Sequence, residues 1–242
     1  MIYVIIPCFN EADRLPADAF VDYTNAHPDV RFCFVDDGSS DQTRALLEQT
    51  AARNPNGLDA LILPQNQGKA GAVRAGMLHI AGRDCTHIGF LDADLATPLD
   101  AIADFRAILD VQPGLELLMG SRVKIFGTQI ERDGFRHYAG RVIATCISTI
   151  LQLGVYDTQC GAKFFRRDVV QDLFSEPFLS PWLFDVEILA RLIRQHGRNG
   201  LTGRVAEMPL KQWLEKGGSK VKLSYFFKLW YELYRIHQKY GD

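Results

Sequence analysis

Asp92 and Asp94, separated only by Ala93, close the apolar run Thr86-His87-Ile88-Gly89-Phe90-Leu91. Two carboxylates so spaced, where a buried strand runs out, can both address one hard divalent cation. Such cations take oxygen ligands and often share them with substrate phosphates. The carboxyl ends of strands are also where open α/β sheets bind ligands. The pair therefore points to metal-assisted phosphate chemistry.

Three further polar segments follow apolar runs. Pro7-Cys8-Phe9-Asn10-Glu11 ends the first. Taken alone it reads as the capped start of a helix with Glu11 in its first turn. Asp36-Asp37-Gly38-Ser39-Ser40-Asp41 ends the second, where the acids are either turn and capping groups or acceptors for a base N–H and ribose hydroxyls. Asn66-Gln67-Gly68-Lys69-Ala70-Gly71 lacks P-loop spacing, but glycines around a lysine at a helix start suit a phosphate or nucleotide. Coincident capping would have to explain each segment separately. Four such segments at the strand ends of one sheet favour a shared site.

The elements that position them alternate. Strands are expected at Ile2–Pro7, Arg31–Val35, Ala60–Leu63, His87–Leu91 and Glu116–Gly120, and helices over Pro16–Ala26, Asp41–Arg53, Lys69–Ala81 and Leu99–Val111. Asp41, with Ser39 and Ser40, supplies the N-cap of the second helix, and Thr97-Pro98 stands near the first turn of the fourth. This alternation reads as βαβ units on a mostly parallel sheet flanked by helices. No GxGxxG follows the first strand, which disfavours a dinucleotide-dependent dehydrogenase. Beyond Ser121, Lys124–His137 reads as a polar loop and Arg141–Leu153 as a helix. Gly161–Arg166 and Val205–Pro209 read as strands on either side of a helix over Asp185–Gln195. Leu223–Tyr240 reads as an aromatic-rich amphipathic helix. The expected organisation is one domain over residues 1–222, with a first half 1–120 and a second half 121–222, followed by that helix at 223–242.

At 242 residues and 47% hydrophobic, the chain can bury a full core. A net charge of −2 provides no basic field for nucleic acid. The five cysteines are scattered without CxxC spacing, which suits a reducing cytosol better than a disulfide framework or a zinc site. The sequence opens directly with a strand-like run, so no secretory signal is expected. No uncharged stretch approaches the roughly 20 residues of a membrane span. The nearest, Val142–Val155, reads as a helix that is buried or lies near a membrane surface.

Taken in order, IIPCFNEADRLP, FVDDGSSDQT, NQGKAGAVRAGM and LDADLATP resemble the successive motifs of family 2 glycosyltransferases with the GT-A fold. Gly120–Arg122, DTQCGAKFF (Asp157–Phe165), WLFDVEIL (Trp182–Leu189) and WLEKGGSKV (Trp213–Val221) are similar to the branch that makes polyprenyl-phosphate sugars, most of all the dolichyl-phosphate β-glucosyltransferases. The resemblance implies that Pro7, Asn10, Glu11 and Asp37 line a nucleoside site, with Gly68 and Lys69 nearby. It implies that Asp92 and Asp94, flanking Ala93, hold Mg²⁺ or Mn²⁺ against the diphosphate of a nucleotide-sugar donor. The implied activity is a hexosyltransferase acting with inversion, UDP-glucose being the first choice of donor and GDP-mannose the second.

The implied acceptor is a polyprenyl phosphate, already ionised at neutral pH and able to attack without a general base. What such an acceptor needs is cationic positioning, for which Arg122, Arg136, Arg141 and Lys220 are the candidates. Asp157, Gln159 and Lys163, in the same late motifs, are further site candidates. Asp185, just after Trp182-Leu183-Phe184 and two residues before Glu187, has three readings: a base for a hydroxyl acceptor, a group orienting donor sugar or metal, or an N-cap. A glycan-hydroxyl transferase and a nucleotide-sugar-binding protein without turnover are the competing functions, the second disfavoured by the intact Asp-Ala-Asp. A lipid acceptor implies peripheral contact with the cytoplasmic face of a membrane. The C-terminal helix is either the element that makes this contact or one packed on the body or a second subunit. Neither lipid length nor oligomeric state is written in the sequence.

Overall fold

The computed structural model describes residues 1–131, 134–216 and 225–240. Its first half follows the expected alternation. Strands β1 (Ile2–Cys8), β2 (Val30–Asp36), β3 (Leu58–Ile62), β4 (His87–Phe90) and β5 (Leu117–Ser121) are joined by helices α1 (Ala17–Ala26), α2 (Thr43–Arg53), α3 (Gly68–Ala81) and α4 (Ala101–Val111). The strands are near-continuous apolar runs because both faces of the sheet are covered. Successive side chains of β1 divide between two cores. Tyr3 and Ile5 pack with the α3 side, while Ile2, Val4 and Ile6 pack with Phe20 of α1 and Phe105 of α4. Phe20 stands edge-on to both Phe32 and Phe34 at 5.1 Å between ring centroids. Burying each such ring contributes about 1.5–3 kcal/mol.

The second half supplies β6 (Gln129–Glu131), α5 (Gly134–Leu151), β7 (Lys163–Arg166), α6 (Arg167–Phe174), α7 (Phe184–His196), β8 (Val205–Pro209), β9 (Gln212–Leu214) and α8 (Tyr225–Tyr240). The main sheet has the order β3-β2-β1-β4-β7-β5-β8. All its pairings are parallel except those of β7, which runs antiparallel to both β4 and β5. That reversal brings the amino end of β7 to the carboxyl ends of its neighbours, with Lys163 in register with Phe90 and Met119. Asp92, Lys163 and Arg122 therefore start from adjacent backbone positions.

Several sequence expectations are corrected. Lys124–His137 is not a continuous loop, since it contains β6, paired with β9, and α5 starts at Gly134 rather than Arg141. The α2 cap also differs. The helix begins at Thr43 after Gln42, and Asp41 acts from outside it, accepting the Thr43 N–H at 2.9 Å and the Ala12 N–H at 3.3 Å. Helix α6 was not foreseen, although its Val169, Val170, Leu173 and Phe174 form a buried helical stripe.

Helix α8 buries Leu229, Leu233, Ile236 and Tyr240, while Trp230, Tyr231 and Tyr234 are exposed. Buried polar contacts hold its inner face. Ser180 Oγ donates to Glu232 at 2.5 Å, and the Tyr240 hydroxyl donates to Glu187 at 2.9 Å. The helix thus packs on the body and still presents aromatic rings outward. Within α5, expected to be buried or near a surface, Ile147 and Leu151 are buried and Thr145 and Thr149 are exposed. No helix among the described residues is long and apolar enough to cross a membrane.

Candidate active site

The loops after β1, β2 and β3 are laced together by their own polar groups. Asn10 adopts a left-handed φ of 53°, which asparagine tolerates better than most residues. Its N–H donates to Ser39 Oγ and its side-chain oxygen accepts the Ser40 N–H, both at 3.0 Å. The Glu11 N–H donates to Thr43 Oγ1 at 2.8 Å. Pro7 stands in β1 opposite Val35, one pair before the strand ends. Asp37 accepts the Gln67 N–H at 2.7 Å, and burial raises its carboxyl above the ordinary range. Gly38, at φ +65°, permits that approach: a Cβ there would lie 2.6 Å from the backbone of Gln65 and Asn66.

Lys69, in the first turn of α3 next to Gly68, donates to Asp92 Oδ1. Burial opposes its charge, but Asp92 and Asp185 hold the ammonium above its usual value. The other Asp92 oxygen lies against Gly161, where a Cβ would come within 1.9 Å of it. Past Ala93, which is buried, Asp94 accepts the Ala96 N–H at 2.9 Å. Burial raises the Asp94 carboxyl, and Asp92 adds to the effect.

Arg122, directly after β5, forms a bidentate pair with Asp157, Nε to Oδ2 at 2.7 Å and Nη2 to Oδ1 at 2.8 Å. Its own N–H adds a third bond to Oδ2 at 3.0 Å. Burial works against the guanidinium charge, and Asp157 outweighs it, so the pKa is raised. Arg141 donates to the Tyr156 carbonyl at 2.9 Å and lies 3.8 Å from the centroid of that ring. Both arginines thus grip one dipeptide, Tyr156-Asp157. Glu207 of β8 holds the same dipeptide from below, accepting the Tyr156 N–H at 2.7 Å and the Asp157 N–H at 2.8 Å. Arg136 is the third residue of α5, in its first turn. Lys220 falls outside the described residues.

Lys163 has no exposed side-chain surface. Its ammonium donates to the Cys160 carbonyl at 2.6 Å and lies 2.7 Å from Asp185 Oδ1. Burial raises the Asp185 carboxyl, while Lys163 and Lys69 pull it back. Asp185 sits inside α7, whose N-cap is Leu183, so the capping alternative for this residue is wrong. Glu187 faces away and is structural, paired with Arg191 at 2.9 Å and bonded to Tyr240. Beside the Arg122–Asp157 pair, Ser121 Oγ, Thr158 Oγ1 and Gln159 Nε2 are buried and lack a hydrogen-bond partner among the described residues. Buried polar atoms are rarely left so unless a ligand or water meets them.

The signature of Glycosyl transferase family 2 matches residues 3–174 of this chain. The chain belongs to that family. Among its relatives, dolichyl-phosphate β-glucosyltransferase of Dictyostelium discoideum is 31% identical over 234 residues, spanning 90% of this chain and 68% of that protein. The Saccharomyces cerevisiae protein of the same name is 30% identical over 244 residues, spanning 91% of this chain and 69% of its own length. Glucosyl-3-phosphoglycerate synthase from Mycobacterium tuberculosis, solved with Mn²⁺, UDP-glucose and phosphoglyceric acid, superposes with a TM-score of 0.69 at 16% identity, covering 100% of this chain and 79% of that one. That superposition establishes the shared GT-A architecture.

In this glycosyltransferase, Asp92 and Asp94 offer the hard oxygen donors that Mg²⁺ and Mn²⁺ take. Gly161 leaves space beside Asp92, and the raised Asp94 carboxyl is one that a nearby cation would return to its charged form. A divalent cation fits the pair. A three-ligand cluster, Cys33, Asp59 and His79, lies elsewhere, on β2, β3 and α3. Arg83 donates to both Asp59 and His79 there, at 2.6 and 2.9 Å, so a cation's place is taken. Two residues of the candidate site escaped the sequence reading. Gly161 had a signal, a glycine opening a strand inside a motif. Glu207 had only an acid within an otherwise apolar strand.

Proposed function

We propose that this glycosyltransferase moves glucose from UDP-glucose to a polyprenyl phosphate of the dolichyl type, with inversion. The observation that carries the acceptor class is the Lys163–Asp185 pair. Asp185 is buried with its Oδ1 taken up by the Lys163 ammonium, which suits a positioning role, whereas a phosphate monoester with a second pKa of about 6 needs no base at neutral pH. The names of the relatives agree with that acceptor.

On this reading Asn10, Glu11 and Asp37 line the nucleoside pocket, with Pro7 at its floor. Asp92 and Asp94 would hold Mg²⁺ or Mn²⁺, which when bound neutralises charge on the leaving diphosphate. Lys69, fixed on Asp92, adds a cation beside that charge. Asp185, steadied by Lys163, faces the sugar and orients it. Arg122 and Arg141, with Arg136 and Lys220, draw in the acceptor phosphate, and the orphaned Ser121, Thr158 and Gln159 groups complete its polar surroundings. The acceptor oxygen then displaces the nucleotide at the anomeric carbon in one step. Trp230, Tyr231 and Tyr234 of α8 would meet the membrane peripherally on its cytoplasmic face.

Radiolabelled sugar transfer tests the proposal, comparing UDP-glucose with GDP-mannose and polyprenyl phosphate with free glycans. Glucose recovered in the lipid-phosphate fraction, lost with EDTA, is the expected result. Transfer confined to a glycan hydroxyl and abolished in Asp185→Asn would overturn it.

A further inference from the structure

Three residues beyond Arg122 the chain reverses through Ile125-Phe126-Gly127-Thr128, and the tip of this reversal is apolar. Phe126 is fully exposed and Ile125 is 50% exposed. Isolated exposed apolar residues are ordinary, but these two are adjacent and held outward by a built turn. The Thr128 N–H donates to the Ile125 carbonyl at 3.2 Å, and the Thr128 hydroxyl donates to the same carbonyl at 2.8 Å. That hydroxyl also accepts the Ile125 N–H at 3.1 Å. Gly127, at φ +86°, supplies the left-handed third position that a type II turn requires.

Both flanks are braced. Arg122 is clamped on Asp157, and its guanidinium lies 5.3 Å from the centroid of Trp213. On the other side the Gln129 N–H donates to the Lys211 carbonyl at 2.7 Å, and Ile130 is buried within β6, which pairs with β9. Much of the ordering entropy that an insertion loop loses on binding is therefore already spent in folding. Lys124, exposed beside the tip, adds a cation of the kind attracted to anionic headgroups.

We propose that the Ile125–Phe126 turn is an interfacial anchor that enters the lipid surface beside the acceptor phosphate. The inference rests on the lipid-phosphate reading above, and it deepens that reading by adding to α8 a second element that meets the bilayer, beside the acceptor. Area argues for lipid over a protein partner. One aromatic ring buries about 150–250 Å², and the turn as a whole falls far short of the roughly 1,200 Å² of a specific protein interface. Continuity argues the same way, because a prenyl chain leaving a phosphate near Arg122 must pass a surface only a few residues away.

The test uses the full chain and vesicles of equimolar phosphatidylcholine and phosphatidylserine. Phe126→Ser should lower vesicle partition by about tenfold or more. Phe126→Trp should gain, over the wild type, emission quenched by lipids brominated along the acyl chain. Phe126→Ser should also keep wild-type turnover on a short, water-soluble prenyl phosphate and lose it on a long-chain acceptor in vesicles. Equal partition of wild type and Phe126→Ser with no added quenching would overturn the anchor whatever the activity. So would a loss confined to self-association in sedimentation, which would assign the turn to a protein contact. Absence of transfer to any prenyl phosphate, with quenching intact, would instead overturn the functional reading and leave the anchor standing.

Discussion

Lys163, wholly buried on β7, faces Asp185 of α7 across 2.7 Å, and the two charges are joined beneath the carboxyl end of β4. Lys69 and Asp92 continue the alternation toward solvent, since Asp185 interacts electrostatically with both. Four charges of alternating sign thus connect the core to the candidate metal ligands. Burial opposes the charge of both inner members, and their neighbours counter it: Asp92 and Asp185 for Lys69, Lys163 and Lys69 for Asp185.

Removing one link should show in a pH profile. Lys163 lowers the Asp185 carboxyl against the raising effect of burial. In Lys163→Met that counterweight is gone, so the Asp185 pKa climbs and its ionised form persists only at higher pH. Only Lys69 still lowers it, and Asp92 raises it. The acidic limb of kcat/KM should therefore move to higher pH than in the wild type. An unmoved limb would separate Asp185 from the reaction. Breaking a buried pair costs about 3–5 kcal/mol, so the profile is best taken well below the lowered Tm.

Arg122→Lys should be damaging although charge is kept. An ammonium cannot reproduce the two-pronged contact with Asp157 at 2.7 and 2.8 Å. Losing one charge-assisted bond is worth about 1.5–3 kcal/mol, so kcat/KM should fall by roughly tenfold or more. The loss should appear mainly in the KM for the phosphate acceptor. Steady-state kinetics with each substrate varied in turn checks this.

Glu207→Gln separates positioning from contact. The carboxylate accepts two backbone N–H groups, those of Tyr156 and Asp157, whereas an amide has one oxygen and leaves one donor unmet. A cost of about 1–3 kcal/mol in stability should follow. Thermal unfolding would read it, and a matched loss in acceptor KM would show that the dipeptide under Arg122 had shifted.

Gly161→Ala should act at the metal although it adds only a methyl group. The new Cβ would fall 1.9 Å from Asp92 Oδ2, so the carboxylate must turn away. Mn²⁺ affinity, followed by electron paramagnetic resonance, should weaken in Gly161→Ala and in Asp94→Ala alike. EDTA should abolish wild-type turnover, with Mg²⁺ or Mn²⁺ restoring it.

The strands of the first half were legible because each motif closes an apolar run whose period and length mark a buried strand. Ile2–Cys8 and Val205–Pro209 lie within a residue of expectation for that reason. The direction of β7 was not legible. Lys-Phe-Phe-Arg has the same local pattern whichever way its neighbours run, and only the sheet order decides. Strands β6 and β9 are three residues long and carry Gln129, Glu131 and Gln212, too short and polar to signal a strand. For the site, residue identity pointed to Arg122 and Asp157 separately. Their mutual grip, and the role of Glu207 beneath them, comes from contacts more than thirty residues apart in the chain.

The insertion of β7 between β4 and β5 has a consequence for recombination. A crossover near residue 120 looks natural, since it separates the nucleotide motifs from the rest. Yet it would join a sheet to a foreign wedge, whose lysine must fit the host's Asp92 neighbourhood and whose glycine must clear the host's carboxylate. Exchange of acceptor preference among relatives is therefore better made by grafting surface segments outside the sheet than by trading halves. The two halves of the sheet are interdigitated, and they must be inherited together.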